Sequence, residues 1–344
     1  MLKVITIKLF FVLALSLVKS TNLKAAVDSP IGDWSMSPSV EGSINIVKHP
    51  SLNNLDDVVI AVIDTGIDYS HPALKNKIIS YKNGEMVKAS PVNYGRDFSP
   101  RSLTFSRPFD TNGHGTHIAS IITKVAPNAK ILPIKYYNQD ATEKENLDAT
   151  IEAIKFAINA GIKIINYSSG GSGKSVIEKE VINLARKNDV LLIAAAGNFG
   201  EDIDKKGNQY YPASYNNSNI ISVINHGPNF KIHKTSNFGE HNADISAPGT
   251  LILGAFPDER YGNLTGTSQA TAFVSAAAAI IKGISKNLNH EKIKHLILTG
   301  VTKVPHLAKK CKTSGALNIR KIINLITEKT KRNFASTRQK KSHP

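Results

Sequence analysis

"VVIAVIDTGIDYSHP", residues 58–72, sets a continuous apolar run against an abrupt Asp64-Thr65-Gly66 turn. A Val/Ile run of this length that stops at a turn reads as a strand buried on both faces. The carboxylate at its end stands where open α/β sheets gather their chemistry. Asp-Thr-Gly belongs to two unrelated arrangements. In one, two such carboxylates share a proton and activate water, which in a single chain requires the tripeptide twice. In the other, a single Asp orients a His that deprotonates a Ser. No second Asp-Thr-Gly or Asp-Ser-Gly occurs in the 344 residues, and completing a half-site by dimerisation suits a much shorter chain. The partners of Asp64 are therefore a His and a Ser further along.

Outward from this stretch, apolar runs of strand length recur at 130–137 (KILPIKYY), 162–168 (IKIINYS), 190–198 (VLLIAAAGN) and 219–224 (NIISVI). Between the first two of these, Leu147, Ile151, Ile154, Ala157 and Ile158 recur at helical spacing before Gly161. Continuous apolar strands alternating with helices define an α/β class, with a central, mostly parallel sheet covered by helices on both faces. Asp64, Ser168 and Asn198 each close a strand in this reading.

The composition bounds the setting. Lys3 and Lys8 precede LFFVLALSLV, too short for a stable bilayer span, and small residues follow at Ser20, Ala25 and Ala26. Residues 1–26 thus read as a signal peptide and the protein as exported, secreted or periplasmic. Cys311 is the single cysteine, so an internal disulfide is excluded. The net charge of +16 is uneven: residues 1–281 carry 27 Lys and Arg against 25 Asp and Glu, whereas 282–344 carry 16 against 2. That asymmetry argues against specific nucleic-acid binding and places a basic, disordered tail at 329–344. Such a tail suits an anionic envelope surface. The remainder, 27–328, is expected to be one domain and a monomer.

Two further stretches carry chemistry. DTNGHGTHIASII (110–122) sets His114 between glycines at the start of a helix. GNLTGTSQATAFVSAAAAIIKGI (262–284) gives a Gly-rich turn, Ser268 and a long small-apolar helix. A helix apolar nearly all round must be central, and its free N–H groups suit a developing oxyanion. A Ser at that end is placed as a nucleophile or, more simply, as an N-cap.

Taken together, VIDTGID, NGHGTHIA, INYSSGG, AAAGN, YPASY, SAPG and GTSQATAF, in that order from Trp34 to Leu325, resemble the subtilisin-family serine proteases. The resemblance implies the three-layer subtilisin-like fold and a serine endopeptidase with peptide or protein substrates. It implies Ser268 as nucleophile, His114 as general base and acid, Asp64 as the residue that orients the imidazole, and Asn198 as oxyanion donor. It further implies that Ser168, Ser169 and Gly170 pair with substrate backbone, and that Ala195, Ala196 and Gly197 form the opposite wall of the primary pocket. Tyr210 falls at the floor of that pocket, where a ring would favour small residues.

Three departures from the family pattern stand out. Gln269 and Ala272 replace the Met and Pro usual near the nucleophile. Too few residues precede Asp64 for a folding propeptide. The loop and the Asp that hold calcium in many relatives are missing, His117 running straight to Pro127 and Ala73 following His71-Pro72; no metal and no cofactor is expected. A catalytically silent peptide-binding protein and a transpeptidase with the same triad are the alternatives.

Overall fold

The computed structural model describes residues 34–46, 49–90 and 93–328, so the signal peptide expected at 1–26 and the basic tail expected at 329–344 lie outside the described residues. The strands are β1 (Val58–Asp64), β2 (Ile79–Lys82), β3 (Glu85–Lys88), β4 (Arg96–Asp97), β5 (Ala129–Lys135), β6 (Ile164–Tyr167), β7 (Leu191–Ala195), β8 (Ile220–His226), β9 (Ile245–Pro248), β10 (Ile252–Phe256), β11 (Arg260–Leu264), β12 (Thr302–Lys303) and β13 (Gly315–Ala316). The helices are α1 (His114–Val125), α2 (Glu143–Asn159), α3 (Val176–Lys187), α4 (Thr267–Ile284) and α5 (His290–Thr299), followed by α6 over 319–328.

Nine strands form one sheet in the order β12-β13-β9-β8-β7-β6-β1-β5-β4, with β2–β3 and β10–β11 as separate hairpins. Every pairing in the large sheet is parallel except β12–β13. β1 lies inside it, in register with β5 from Val58↔Ala129 to Asp64↔Lys135 and with β6 from Ile60↔Ile164 to Ile63↔Tyr167. Buried on both faces, it has no need of polar alternation, which is why its sequence is apolar throughout.

The period of two still sorts its side chains. Ile60 and Val62 belong to the core on the α1 and α4 side of the sheet, whereas Ala61 and Ile63 belong to the core on the α2 side. α2 opens on a reciprocal cap: Thr142 accepts from the Glu145 backbone N–H, while the Glu145 carboxylate takes the Thr142 N–H. α4 is buried along nearly its whole length, with Phe273 the largest side chain against the sheet.

The strand reading holds with informed differences. β5 stops at Lys135, because Tyr136 spends its N–H on the Asp64 carbonyl at 3.1 Å and the chain then leaves the sheet. β7 ends at Ala195, so Asn198 lies three residues beyond its strand, after Gly197 at φ +99°. β4, β9, β12 and β13 were not legible, being two to four residues long; so short a run carries no period.

Two buried histidines act as bolts. His117 Nε2 lies 3.0 Å from the Ile252 carbonyl and 3.2 Å from that of Gly262, fastening α1 to the β10–β11 hairpin. His226 fastens the N-terminal segment: Nε2 lies 2.9 Å from the Gly42 carbonyl and Nδ1 2.7 Å from Ser246 Oγ. A carbonyl can only accept, so Nε2 carries a proton; because burial disfavours the cation, the ring is neutral and Nδ1 accepts from Ser246.

Burial pushes His226 down from 6.5 to about 4. The unfolded chain therefore takes up this proton first as pH falls, and stability is lost from about pH 6.5 down to about pH 4, amounting to about 3 kcal/mol. Urea melts across that range should show this loss. His226→Gln should be less stable at neutral pH and have a shallower acid slope.

Candidate active site

The carboxyl ends of β1, β6 and β7 and the N-termini of α1 and α4 meet at one cleft of about 290 Å³. Asp64, at the end of β1, is 2% exposed. Its Oδ1 accepts the Thr65 N–H at 2.7 Å and lies 2.7 Å from His114 Nδ1. With Nδ1 donating to the carboxylate, Nε2 is left as the acceptor. Burial opposes the imidazolium, but the charge and hydrogen bond of Asp64, reinforced by Asp110, outweigh it and raise His114 above the usual histidine range.

The meeting of these two residues depends on Gly115. A Cβ there would stand 2.0 Å from the Gly66 carbonyl oxygen and 3.1 Å from Asp64 Cβ. Any larger residue would push the first turn of α1 away from the β1 turn.

Ser268 occupies the first turn of α4, among N–H groups that have no partners within the helix. It is not the N-cap. Gly266 holds that position without a side-chain bond, and the cap comes from another loop: Asn198 Oδ1 accepts the Thr267 N–H at 2.8 Å and the Thr267 hydroxyl at 3.1 Å. Anchored by its oxygen, Asn198 keeps its amide N–H groups free of bonds among the described residues. Ser268 Oγ donates to the Ser168 carbonyl at 2.9 Å rather than to His114, while Ser168 Oγ donates back to the Ser268 carbonyl at 3.0 Å. Behind this exchange, Asn166 donates to Ser168 Oγ at 2.9 Å and accepts from Ser275 at 2.8 Å.

Of the other residues singled out in the sequence, Ser168, Ser169, Ala195 and Tyr210 line the cleft, and Gln269 borders it beside Ser268. Gly170, Ala196 and Gly197 stand behind that surface. The Tyr210 ring is wedged between the two walls: a Cβ on Gly170 would meet its Cε1 at 2.6 Å, and one on Gly197 would meet its Cγ at 2.9 Å. Among the described residues, no group of three or more His, Cys, Asp or Glu is arranged to hold a metal ion.

Sequence reasoning missed several residues here. Tyr136 and Tyr137 line the cleft, and their place just after a sheet strand was a usable sign. Phe199 is 61% exposed beside Asn198, its ring 6.1 Å from that of Tyr210. Asn237 is 1% exposed and holds the Asn198 loop, accepting from Phe199 N and Glu201 N and donating to the Ala196 carbonyl at 2.9 Å. Nothing in the sequence distinguishes it from a turn residue.

The cleft lies at the carboxyl edge of the sheet in a three-layer α/β fold. Residues 56–318 match the subtilase family, peptidase S8, and the chain belongs to that family. It is 35% identical over 248 residues to the major intracellular serine protease of Bacillus subtilis (strain 168), covering 69% of this chain and 72% of that one. Over 272 residues it is 29% identical to subtilisin Savinase of Lederbergia lenta, covering 75% and 89%. Among solved structures, that describing the assembly of the subtilase cytotoxin SubAB superposes with a TM-score of 0.70 at 25% identity, covering 86% of this chain and 97% of the other. The protein is a serine endopeptidase acting on peptide or protein substrates.

Behind Tyr210 lies Glu178 of α3, 3% exposed, with Tyr215 Oη at 2.7 Å from Oε2. The same hydroxyl is 2.9 Å from Ser175 N and 2.8 Å from the Ser175 carbonyl. One hydroxyl proton cannot serve both oxygens. A protonated Glu178 resolves the conflict by donating to Tyr215, which then donates to Ser175. Burial raises this carboxyl to about 7, against the hydrogen bond from Tyr215. Its contribution is full below about pH 4.5 and is lost as pH rises through about 7. Glu178→Gln should therefore stabilise the fold by about 3 kcal/mol at pH 8 relative to its effect at pH 4, read from the same urea melts.

Proposed function

We propose that peptide bonds are hydrolysed through an acyl-enzyme, with Ser268 as nucleophile, His114 as general base and acid, Asp64 as its orienting partner and Asn198 as oxyanion donor. The observation that carries this reading is the 2.7 Å contact of Asp64 with His114 in a cleft shared with Ser268 at the N-terminus of a buried helix. Rotation about the Ser268 Cα–Cβ bond exchanges the Ser168 carbonyl for His114 Nε2 as acceptor. Oγ then attacks the scissile carbonyl carbon as its proton passes to Nε2. The C–N bond breaks, and His114 returns that proton to the departing amine. Water, deprotonated by the same nitrogen, cleaves the ester and restores Ser268. The imidazolium formed in each half is stabilised by Asp64. The oxyanion is met by the Asn198 amide, already oriented by its capping oxygen, and by the first-turn N–H groups of α4.

In this reading Ser168, Ser169 and Gly170 offer their backbone to an extended substrate, and Ala195, Ala196 and Gly197 form the facing wall. The wedged Tyr210 ring leaves room only for a small side chain before the scissile bond, and the exposed Phe199 supplies an apolar rim. Residues 1–26 direct export, 27–328 form the peptidase domain, and 329–344 attach to anionic envelope surfaces. The charge asymmetry and the apolar N-terminal run support these assignments. The enzyme acts as a monomer.

Ser268→Ala should lose nearly all turnover with an unchanged circular dichroism spectrum; the loss measured in subtilisin itself, ~10⁶ in kcat, sets the scale. An active Ser268→Ala protein would sink the triad. Profiling with a peptide library should show Ala, Ser or Gly preferred before the cut. Tyr210→Gly should extend cleavage to Phe, Tyr and Leu, whereas a wild-type preference for large aromatic residues would refute the narrow pocket.

A further inference from the structure

One wholly buried carboxylate takes no part in the reaction as written. Asp110, 0% exposed, lies in the loop before α1. Its Oδ1 accepts Thr65 Oγ1 at 2.9 Å, Asn112 N at 3.0 Å and Gly113 N at 2.8 Å. Its Oδ2 accepts Thr116 N at 2.9 Å and Thr116 Oγ1 at 2.6 Å. Five donors converge on one side chain that forms no ion pair among the described residues. An ionised carboxylate, acceptor on both oxygens, satisfies them all, and an amide would set its NH₂ against one of them.

The two threonines serve as relays. Thr65 Oγ1 donates to Asp110 and accepts the Gly115 N–H at 3.0 Å. Thr116 Oγ1 donates to Asp110 and accepts the Asp68 N–H at 2.9 Å. Thr65 and Asp68 belong to the turn that follows Asp64, whereas Gly115 and Thr116 belong to the first turn of α1, which carries His114. The carboxylate therefore joins the two pieces of backbone that must hold Asp64 and His114 in contact. It also places a fixed negative charge at the positive end of α1.

We propose that Asp110 is a positioning residue for the Asp64–His114 pair, holding the β1 turn against the N-terminus of α1 through Thr65 and Thr116 and presenting its charge to the imidazolium that forms during catalysis. This inference rests on the reading of His114 as the base. The titratable groups that face His114 are Asp64 from β1, Asp110 from the preceding loop and His117 from the next turn of α1. His117 stays neutral, since burial first and the nearby His114 second push it down to about 3. Asp64 and Asp110 both favour the charged imidazole against its burial.

Two variants separate position from charge. Asp110→Asn should lower kcat by ~10²-fold with little change in KM, the cost expected of a small displacement at the reacting atoms, and should move the acid limb of the kcat/KM profile to lower pH. Thr65→Val keeps the charge but removes a relay, and should lower kcat by ~10-fold while leaving the limb in place. Asp110→Glu should return the limb toward the wild-type position. A folded Asp110→Asn enzyme with wild-type kcat and acid limb overturns the proposal. If Asp110→Asn does not fold, Thr65→Val decides, and wild-type kcat in that variant overturns the positioning role. Labelling of the wild type by an organophosphonate probe is the separate control. An unlabelled, inactive wild type refutes the triad reading itself, whereas a labelled wild type beside an indifferent Asp110→Asn refutes only this inference.

Discussion

The structure depends on enclosing α4. Sixteen of its 18 residues are buried, against β6, β7, β8 and β9 on one side and α1 on another. Only a run of Ala, Ser and Thr lets so many neighbours come close without voids, because close packing leaves no room for branched side chains on every face. Once that helix is enclosed, the place of its N-terminus follows, since the parallel strands all end at the same side of the sheet. Ser268, Asn198 and the ends of β1, β6 and β7 are brought together by this one packing constraint. Thr267, capped by Asn198 across 69 residues of sequence, makes the helix end and the Asn198 loop a single unit.

Buried titratable groups then set the acid–base character of the fold. His117 and His226 are held neutral by burial, against the carbonyl acceptors that favour the cation, while His114 is held toward the cation because carboxylates face it. These histidines differ chiefly through the charges that face them. Glu178 represents the opposite case, a carboxyl kept protonated in a nest of phenols. Its opposition to His226 over overlapping pH ranges lets the fold include both without a sharp dependence on pH near neutrality.

The Tyr210 ring fills the space between two glycine-bearing loops at the cleft. Gly170 and Gly197 lie in the loops that follow β6 and β7, and a Cβ on either would run into the Tyr210 ring. Phe199 adds apolar surface at the rim at no cost to the core, since most of its side chain faces solvent.

Much of this was legible beforehand. The Val58–Asp64 run, the helical spacing from Leu147 to Ile158 and the small-residue helix after Ser268 determined the α/β class, because burial on two faces, on one stripe and all round each leave a different pattern. Motif order pointed to Asp64, His114, Ser268 and Asn198. What the chain alone could not convey were contacts between distant stretches. Asn237 bracing the Asn198 loop, Asp110 bridging Thr65 and Thr116, and Glu178 beneath Tyr210 look in sequence like a turn residue, a loop acid and a surface helix acid. Their roles arise only when the sheet order places residues tens of positions apart within hydrogen-bonding distance, and a local pattern carries no record of such distances. Local sequence thus determined which elements form and which face is apolar, whereas the state of each buried polar group was decided by tertiary structure, because its charge and partners belong to whatever packs against it.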